Sequence, residues 1–244
     1  MNDTIKLLIE RKSTRSFANK EITKEDKDLI IEAAINAPTA GNMQLYSIIE
    51  IENQELKDKL SVLCDNQSFI KDAKYVLIFV ADYQKWQDAF ISLDLNPRDI
   101  QEGDMLLAME DAIIAACNAQ VASQSLGIGS CYIGDIMENA EKVIELLKLP
   151  KHVYPACMLV FGYPSDNMTN VKKPKRVDTK YVLFKNQYKK LDKDNLKDML
   201  NERTILKGYK EWMKAFMERK HNSTFSKEMQ RSARIYIDRF KNNG

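Results

Sequence analysis

Residues 105–126, MLLAMEDAIIAACNAQVASQSL, form the longest segment of helical character in the chain, and their reading decides how the rest folds. From Ala112 onward the segment is apolar nearly all round, through Ile113, Ile114, Ala115, Ala116, Ala119, Val121 and Ala122. A helix without a polar face belongs in a core. Its alanines permit close approach by another helix, including one from a second subunit. Two continuous apolar runs, Tyr75–Ala81 (YVLIFVA) and Ala156–Gly162, read as strands buried on both faces. Tyr46–Ile51 reads as a third strand.

Outward from this core, residues 3–10 and Thr23–Asn36 are expected as helices, the second opened by Thr23 spaced three residues before Asp26. Pro38 to Asn42 breaks the chain into a loop, and Glu55–Leu63 resumes as helix. Residues 84–103 read as a mobile excursion. Gly127 and Gly129 end the central helix, and Glu138–Leu147 is helical up to Pro150. After Pro164 the composition turns basic, with a short strand at Tyr181–Phe184 and amphipathic helices at Asp194–Met217 and Ser226–Phe240. The order indicates a mixed α/β or α+β sheet covered by helices. Residues 1–165 form the core, and residues 166–244 a basic extension completing the same domain.

The chain has 244 residues, 44% hydrophobic and 30% charged, with only 8 Gly and 6 Pro. That excludes fibrous and disordered classes, and a chain of this length buries about 70–75% of its unfolded surface without staples. Cys64, Cys117, Cys131 and Cys157 show no CxxC spacing, and His152 and His221 are the only histidines, so no structural metal centre is expected. Cys117 and Cys157 read as small buried hydrophobes. Asp3, Lys6, Glu10 and Arg11 leave no leader-like apolar stretch, and the uncharged run Ala112–Gly134 is too polar to span a bilayer. A soluble cytoplasmic protein is expected.

Net charge is +2, yet residues 1–165 carry 16 Lys and Arg against 25 Asp and Glu, while residues 166–244 carry 21 against 10. The two parts should attract, within a chain or between copies. Acidic residues interrupt the basic ones and no groove-reading motif is present, so an anionic small molecule is preferred over nucleic acid.

Four clusters carry potential chemistry. Arg11-Lys12-Ser13-Thr14-Arg15 holds more cations and hydroxyls than a helix end needs, and guanidinium groups bind phosphate bidentately. Pro38–Gln44 (PTAGNMQ) offers small side chains and amides to a flat ligand, although most such segments are plain loops. Gly127–Gly134 (GIGSCYIG) follows a helix rather than a strand, which rules out a dinucleotide-binding turn. It reads as a helix cap or as backbone open to a ligand. Lys172–Arg176 (KKPKR) is either solvated surface or an anion clamp. Walker, GxSxG and HExxH signatures are missing, so hydrolytic machinery is not indicated.

Taken in order, these clusters resemble the nitroreductase superfamily of FMN enzymes, closest to its oxygen-insensitive major nitroreductases and NADPH–flavin oxidoreductases. The resemblance rests on RKSTR at 11–15, APTAGNMQ at 37–44, SLGIGSCYIG at 125–134, LLKLP at 146–150, GYP at 162–164 and KPK at 173–175. It implies an α+β homodimer with an antiparallel-dominated sheet between helices, and a C-terminal arm embracing the partner. FMN would lie in the dimer interface, with NADPH or NADH as donor and a small molecule as acceptor.

Carried over by residue, Arg11 and Ser13, beside Lys12, would hold the FMN phosphate together with Lys175. Arg15 and Lys173 would sit at the N1/O2 edge, where positive charge favours the reduced ring. Gln67 would hydrogen-bond the ring, and Tyr132, Ile133 and Gly134 would line it near N5/O4. Thr39, Ala40, Gly41 and Asn42 would come from the other subunit. Asp135 stands where relatives often have Gly, and Thr39-Ala40-Gly41 where they are Ser-rich. Arg219 and Lys220 are the expected contacts of the NADPH 2′-phosphate. The implied activity is two-electron, ping-pong reduction of nitroaromatics, quinones or free flavin. Related alternatives are a flavin-dependent dehalogenase or flavin-fragmenting enzyme, and a non-catalytic flavin binder.

Overall fold

The computed structural model describes residues 1–169 and 171–241; residue 170 and residues 242–244 of the basic extension lie outside the described residues. The first half of the chain forms α1 (Asp3–Glu10), α2 (Lys24–Ile35), β1 (Tyr46–Glu50), α3 (Gln54–Leu63), α4 (Phe69–Asp72), β2 (Tyr75–Asp82) and α5 (Gln84–Ser92). It continues with α6 (Glu102–Ser125), β3 (Gly129–Ile133), α7 (Ala140–Leu147), β4 (Val153–Gly162) and α8 (Asp166–Thr169). The last part holds α9 (Lys193–Met199), α10 (Asn201–Thr204), α11 (Tyr209–Lys220) and α12 (Thr224–Phe240). By its internal contacts the chain divides into one unit of Met1–Val171 with Glu228–Gly244, and a second of Lys172–Lys227.

The four strands pair antiparallel in the order β1-β2-β4-β3. Two-residue alternation splits the central strands between two cores. Tyr75, Leu77 and Phe79 join Leu159 and Phe161 on one face, against Ile30 and Ala34 of α2 and Ala112, Ala115, Ala116 and Ala119 of α6. Val76, Ile78 and Val80 join Met158 and Val160 on the other, against Leu60, Ile70 and Val143. Burial of each such aliphatic or aromatic side chain contributes about 1.5–3 kcal/mol, so covering both faces dominates the stability. The fold is α+β.

Helix α6 is long and apolar enough to cross a membrane by length and composition. Here its alanine face packs on the sheet, and Asp104 and Asp111 are buried within it. The opposite side leaves Leu106, Leu107, Ile113, Ile114 and Cys117 exposed in the single chain. The expectation that Cys117 is buried therefore fails. A helix apolar all round gives no sequence signal as to which side faces inward.

Other expectations need correction. Gly127, at φ 74°, does close the central helix as its cap reading expected, but Gly129–Ile133 then forms a strand, which that reading did not foresee. Tyr181–Phe184 is not a strand: Thr179–Tyr181 is a 3-10 turn capped by Asp178, while Val182 and Leu183 are exposed. The expected helix Asp194–Met217 is broken into α9, α10 and α11, with Gly208 at φ 75° just before α11. Residues 84–103 contain α5, tied down by Trp86 Nε1 donating to the Met43 carbonyl at 2.8 Å.

Candidate functional site

The outer edge of β3 positions the first cluster. Immediately after α1, the backbone runs alongside this edge, with Ser13 bridging Ser130 in parallel and Thr14 N donating to Ser130 O at 2.9 Å. Farther along, Ala18 N donates to Tyr163 O at 2.8 Å and Phe17 bridges Pro164. Two glycines make this approach possible. Gly129 and Gly162 are register partners in the β3–β4 pair. A Cβ on Gly129 would lie 2.3 Å from Thr14 Oγ1, and one on Gly162 would lie 2.6 Å from Phe17 Cδ1.

The segment laid beside β3 buries Thr14 and keeps its cations nearer the surface. Thr14 is buried inward, Arg11, Lys12 and Ser13 are half-buried, and Arg15 is exposed. Among the described residues neither Arg11 nor Arg15 has a carboxylate partner. Both act on the neighbouring strand: burial pushes the Cys131 thiol up, and Arg15, Ser13 and Arg11 oppose that rise. Lys12 turns away, donating to the Met168 and Val171 carbonyls at 2.7 and 2.9 Å.

From β3 the chain passes into the 3-10 turn Gly134–Met137. Ile133 is buried, Tyr132 is 36% exposed, and a Cβ on Gly134 would meet nothing within 4 Å. Backbone here is open to a flat ligand. Asp135 is half-buried, and its charge reaches the buried Cys64 thiol. Gln67 lies in the same neighbourhood, with its Nε2 donating to Cys64 O at 2.9 Å and its backbone exchanging bonds with Ser61.

Residues 39–42 are held by a different element. Ala40 N and Leu45 N donate to the two carboxylate oxygens of Asp111 on α6, at 2.9 and 3.0 Å. Gly41 and Asn42 take φ of 55° and 56°, left-handed values that this carboxylate helps to hold. The turn thus belongs with α6, whereas Arg11–Arg15 belongs with β3. Lys173 and Lys175 are in the second unit, where Lys175 forms an ion pair with Glu202. Arg219 and Lys220 are exposed at the C-terminal end of α11, Arg219 lying 5.6 Å from the Phe216 ring centroid.

Sequence reading missed Asp111 and Glu138. Asp111 carried a signal, as one of two acids in the apolar run 105–126. Glu138 carried none. It is 5% exposed, and its Oε1 has no hydrogen-bond partner among the described residues. Burial pushes its carboxyl up to about 7, with Asp135, Asp65 and Glu228 adding to the rise.

Residues 8–163 match the sequence profile described as "Nitroreductase family". The chain belongs to the nitroreductase family. It is 33% identical over 241 residues to "FMN reductase [NAD(P)H]" of Bacillus subtilis, covering 98% of this chain and 92% of that protein. It is 37% identical over 195 residues to "Oxygen-insensitive NADPH nitroreductase" of Salmonella typhimurium, covering 79% and 77%. In three dimensions it resembles the NADPH:FMN oxidoreductase from Vibrio harveyi complexed with NAD+, with a TM-score of 0.81 at 26% identity, covering 97% of this chain and 98% of that one. The family confirms the fold expected from the ordered clusters.

Proposed function

We propose that this nitroreductase-family enzyme is an FMN-dependent NAD(P)H oxidoreductase that works as a homodimer on small electron-poor acceptors. The observation that carries the reading is the pair of arginines, without carboxylate partners among the described residues, laid along the β3 edge next to an open glycine turn. The residues fit FMN on chemical grounds. A half-buried guanidinium and a hydroxyl suit a phosphate, a second guanidinium suits the electron-rich edge of the ring, and bare backbone at Gly134 suits its flat face. The names of the relatives, FMN reductase and NADPH nitroreductase, support the same cofactor and donor.

When bound, FMN supplies the chemistry by taking a hydride from the nicotinamide and passing it to the acceptor. The chain's own residues bind and orient. Arg11 and Ser13 hold the phosphate, and Arg15 holds the N1/O2 edge, where a cation favours acceptance of negative charge. Tyr132, Ile133 and Gly134 line the ring, with Gln67 and Asp135 beside them. Thr39–Asn42, held by Asp111, reach the partner's site across an interface built on the exposed face of α6. Donor and acceptor enter the same opening in turn, which gives ping-pong kinetics. Nitroaromatics, quinones and free flavin are the acceptors an open site of this kind admits.

The test is direct. Purified protein should show the visible absorption bands of oxidised flavin and oxidise NADPH with menadione or nitrofurazone. A colourless protein that fails to take up FMN overturns the cofactor. Bound FMN without turnover makes the chain a flavin binder instead.

A further inference from the structure

On the face of the sheet away from α6, a cavity of about 520 Å³ opens between the segment after Arg15 and the start of α3. Phe17, Glu21, Gln54, Lys57, Lys71 and Lys74 line it. Three lysines in one cavity call for a charge account. Lys74 is matched by Glu21 at 2.7 Å and by Asn19 Oδ1 at 3.0 Å. Lys27, which also faces this region, is matched by Glu50 at 3.6 Å and lies over the Tyr75 ring. Lys71 and Asp72, both exposed at the rim, offset each other.

That leaves Lys57. Its residue is 9% exposed, and its Nζ makes one hydrogen bond, to Ala73 O at 3.3 Å. An ammonium has three donors, and a buried one is expensive unless they are used. No carboxylate pairs with it among the described residues. It also stands in the first turn of α3, the end of a helix that disfavours cations and favours anions. Burial, then Lys27 and Lys74, push its amine below the usual lysine range, against the opposing pull of Glu21 and Glu50.

We infer that this cavity is a second ligand site, separate from the Arg11–Arg15 cluster, which takes the oxyanion head of a small organic anion on Lys57 with Lys71 and Lys74 at its sides. One bound monoanion would balance the surplus positive charge and complete the donors of the buried ammonium. The volume leaves room for an organic body beyond the head group.

Inorganic phosphate is the probe, with thermal unfolding of the full-length chain followed at constant ionic strength. The wild type and Arg11→Ala should both be stabilised as phosphate rises through the millimolar range. Lys57→Met should bind phosphate at least tenfold more weakly. Lys71→Met, at an exposed position that folding tolerates, should weaken it several-fold. A repeat with acetate separates the head groups: the tighter anion names the natural one as phosphate ester or carboxylate. No phosphate response in the wild type overturns the inference, as does a response that survives in both lysine variants. A response lost only in Arg11→Ala moves the anion to the arginine cluster and equally overturns it.

Discussion

Replacing Glu138 by Gln should make the protein more stable at alkaline pH and change little at acid pH. The buried carboxyl faces Asp135, Asp65 and Glu228, and its ordinary value of 4.5 rises to about 7. Glu228 is itself fully engaged: it accepts from Asn139 N at 3.1 Å and Ser232 Oγ at 2.8 Å, and pairs with Arg231 at 2.8 Å. It therefore stays charged and repels a second anion. A carboxyl raised in the folded state binds more protons folded than unfolded between pH 4.5 and about 7. Stability from this group is then lost as pH rises through that window, and the loss is complete above it. At roughly 1.4 kcal/mol for each tenfold step, ionisation in place costs up to about 3 kcal/mol. Solvent screening of the cluster reduces this to about 1–2 kcal/mol. Urea unfolding of wild type and Glu138→Gln at pH 5, 6.5 and 8.5 measures it. The gap between them should widen by that amount from pH 5 to pH 8.5. A constant gap would refute the argument, because a merely steric change has no reason to titrate.

Arg15→Ala should weaken FMN about tenfold or more, a charge-assisted hydrogen bond being worth roughly 1.5–3 kcal/mol, and flavin fluorescence titration checks it. Gly129→Ala places a methyl 2.3 Å from Thr14 Oγ1, so it should cost about 1–3 kcal/mol in denaturant unfolding and also weaken FMN by displacing residues 13–15. Ile114→Glu puts charge on the exposed face of α6 and should shift sedimentation from dimer to monomer; a stable mutant dimer would move the interface elsewhere. Arg219→Ala with Lys220→Ala should lower the NADPH-to-NADH ratio of kcat/KM by about one to two decades, chiefly through KM. An unchanged ratio would place the 2′-phosphate contact at other residues.

Much of the fold was legible because local rules and tertiary structure agree. Thr23 accepts from Asp26 N at 3.1 Å, as its spacing to Asp26 announced. The apolar runs at 75–81 and 156–162 are the two central strands because only a strand covered on both faces needs every residue apolar. Strand β3 was illegible for the opposite reason. Gly129 is there to clear Thr14, a residue 115 positions earlier, and no local pattern encodes that clearance. Gly134 and Gly127, bracketing the same strand, made the stretch look like a turn. The short run at Tyr181–Phe184 misled because only Tyr181, at the end of a capped turn, is buried, while Val182 and Leu183 are surface residues. For the site, residue types came from resemblance to the family. The long-range contacts that hold them, such as Asp111 on a turn some 70 residues earlier, exist only in the folded chain.

The course of residues 13–18 past the start of β3 and the end of β4 has a consequence for solubility. An outermost strand presents unpaired N–H and C=O groups, a template onto which a strand from another molecule can add. Here the start of that edge is covered by the segment proposed to bind the cofactor, through Thr14 N on Ser130 O, and the chain just past β4 is covered by Ala18 N on Tyr163 O. On the proposed function, one stretch of chain would serve as ligand clamp and as guard against aggregation. Holding the ligand tightens the guard. Stripping it loosens the guard, so the cofactor-free protein should be the form that aggregates first on warming.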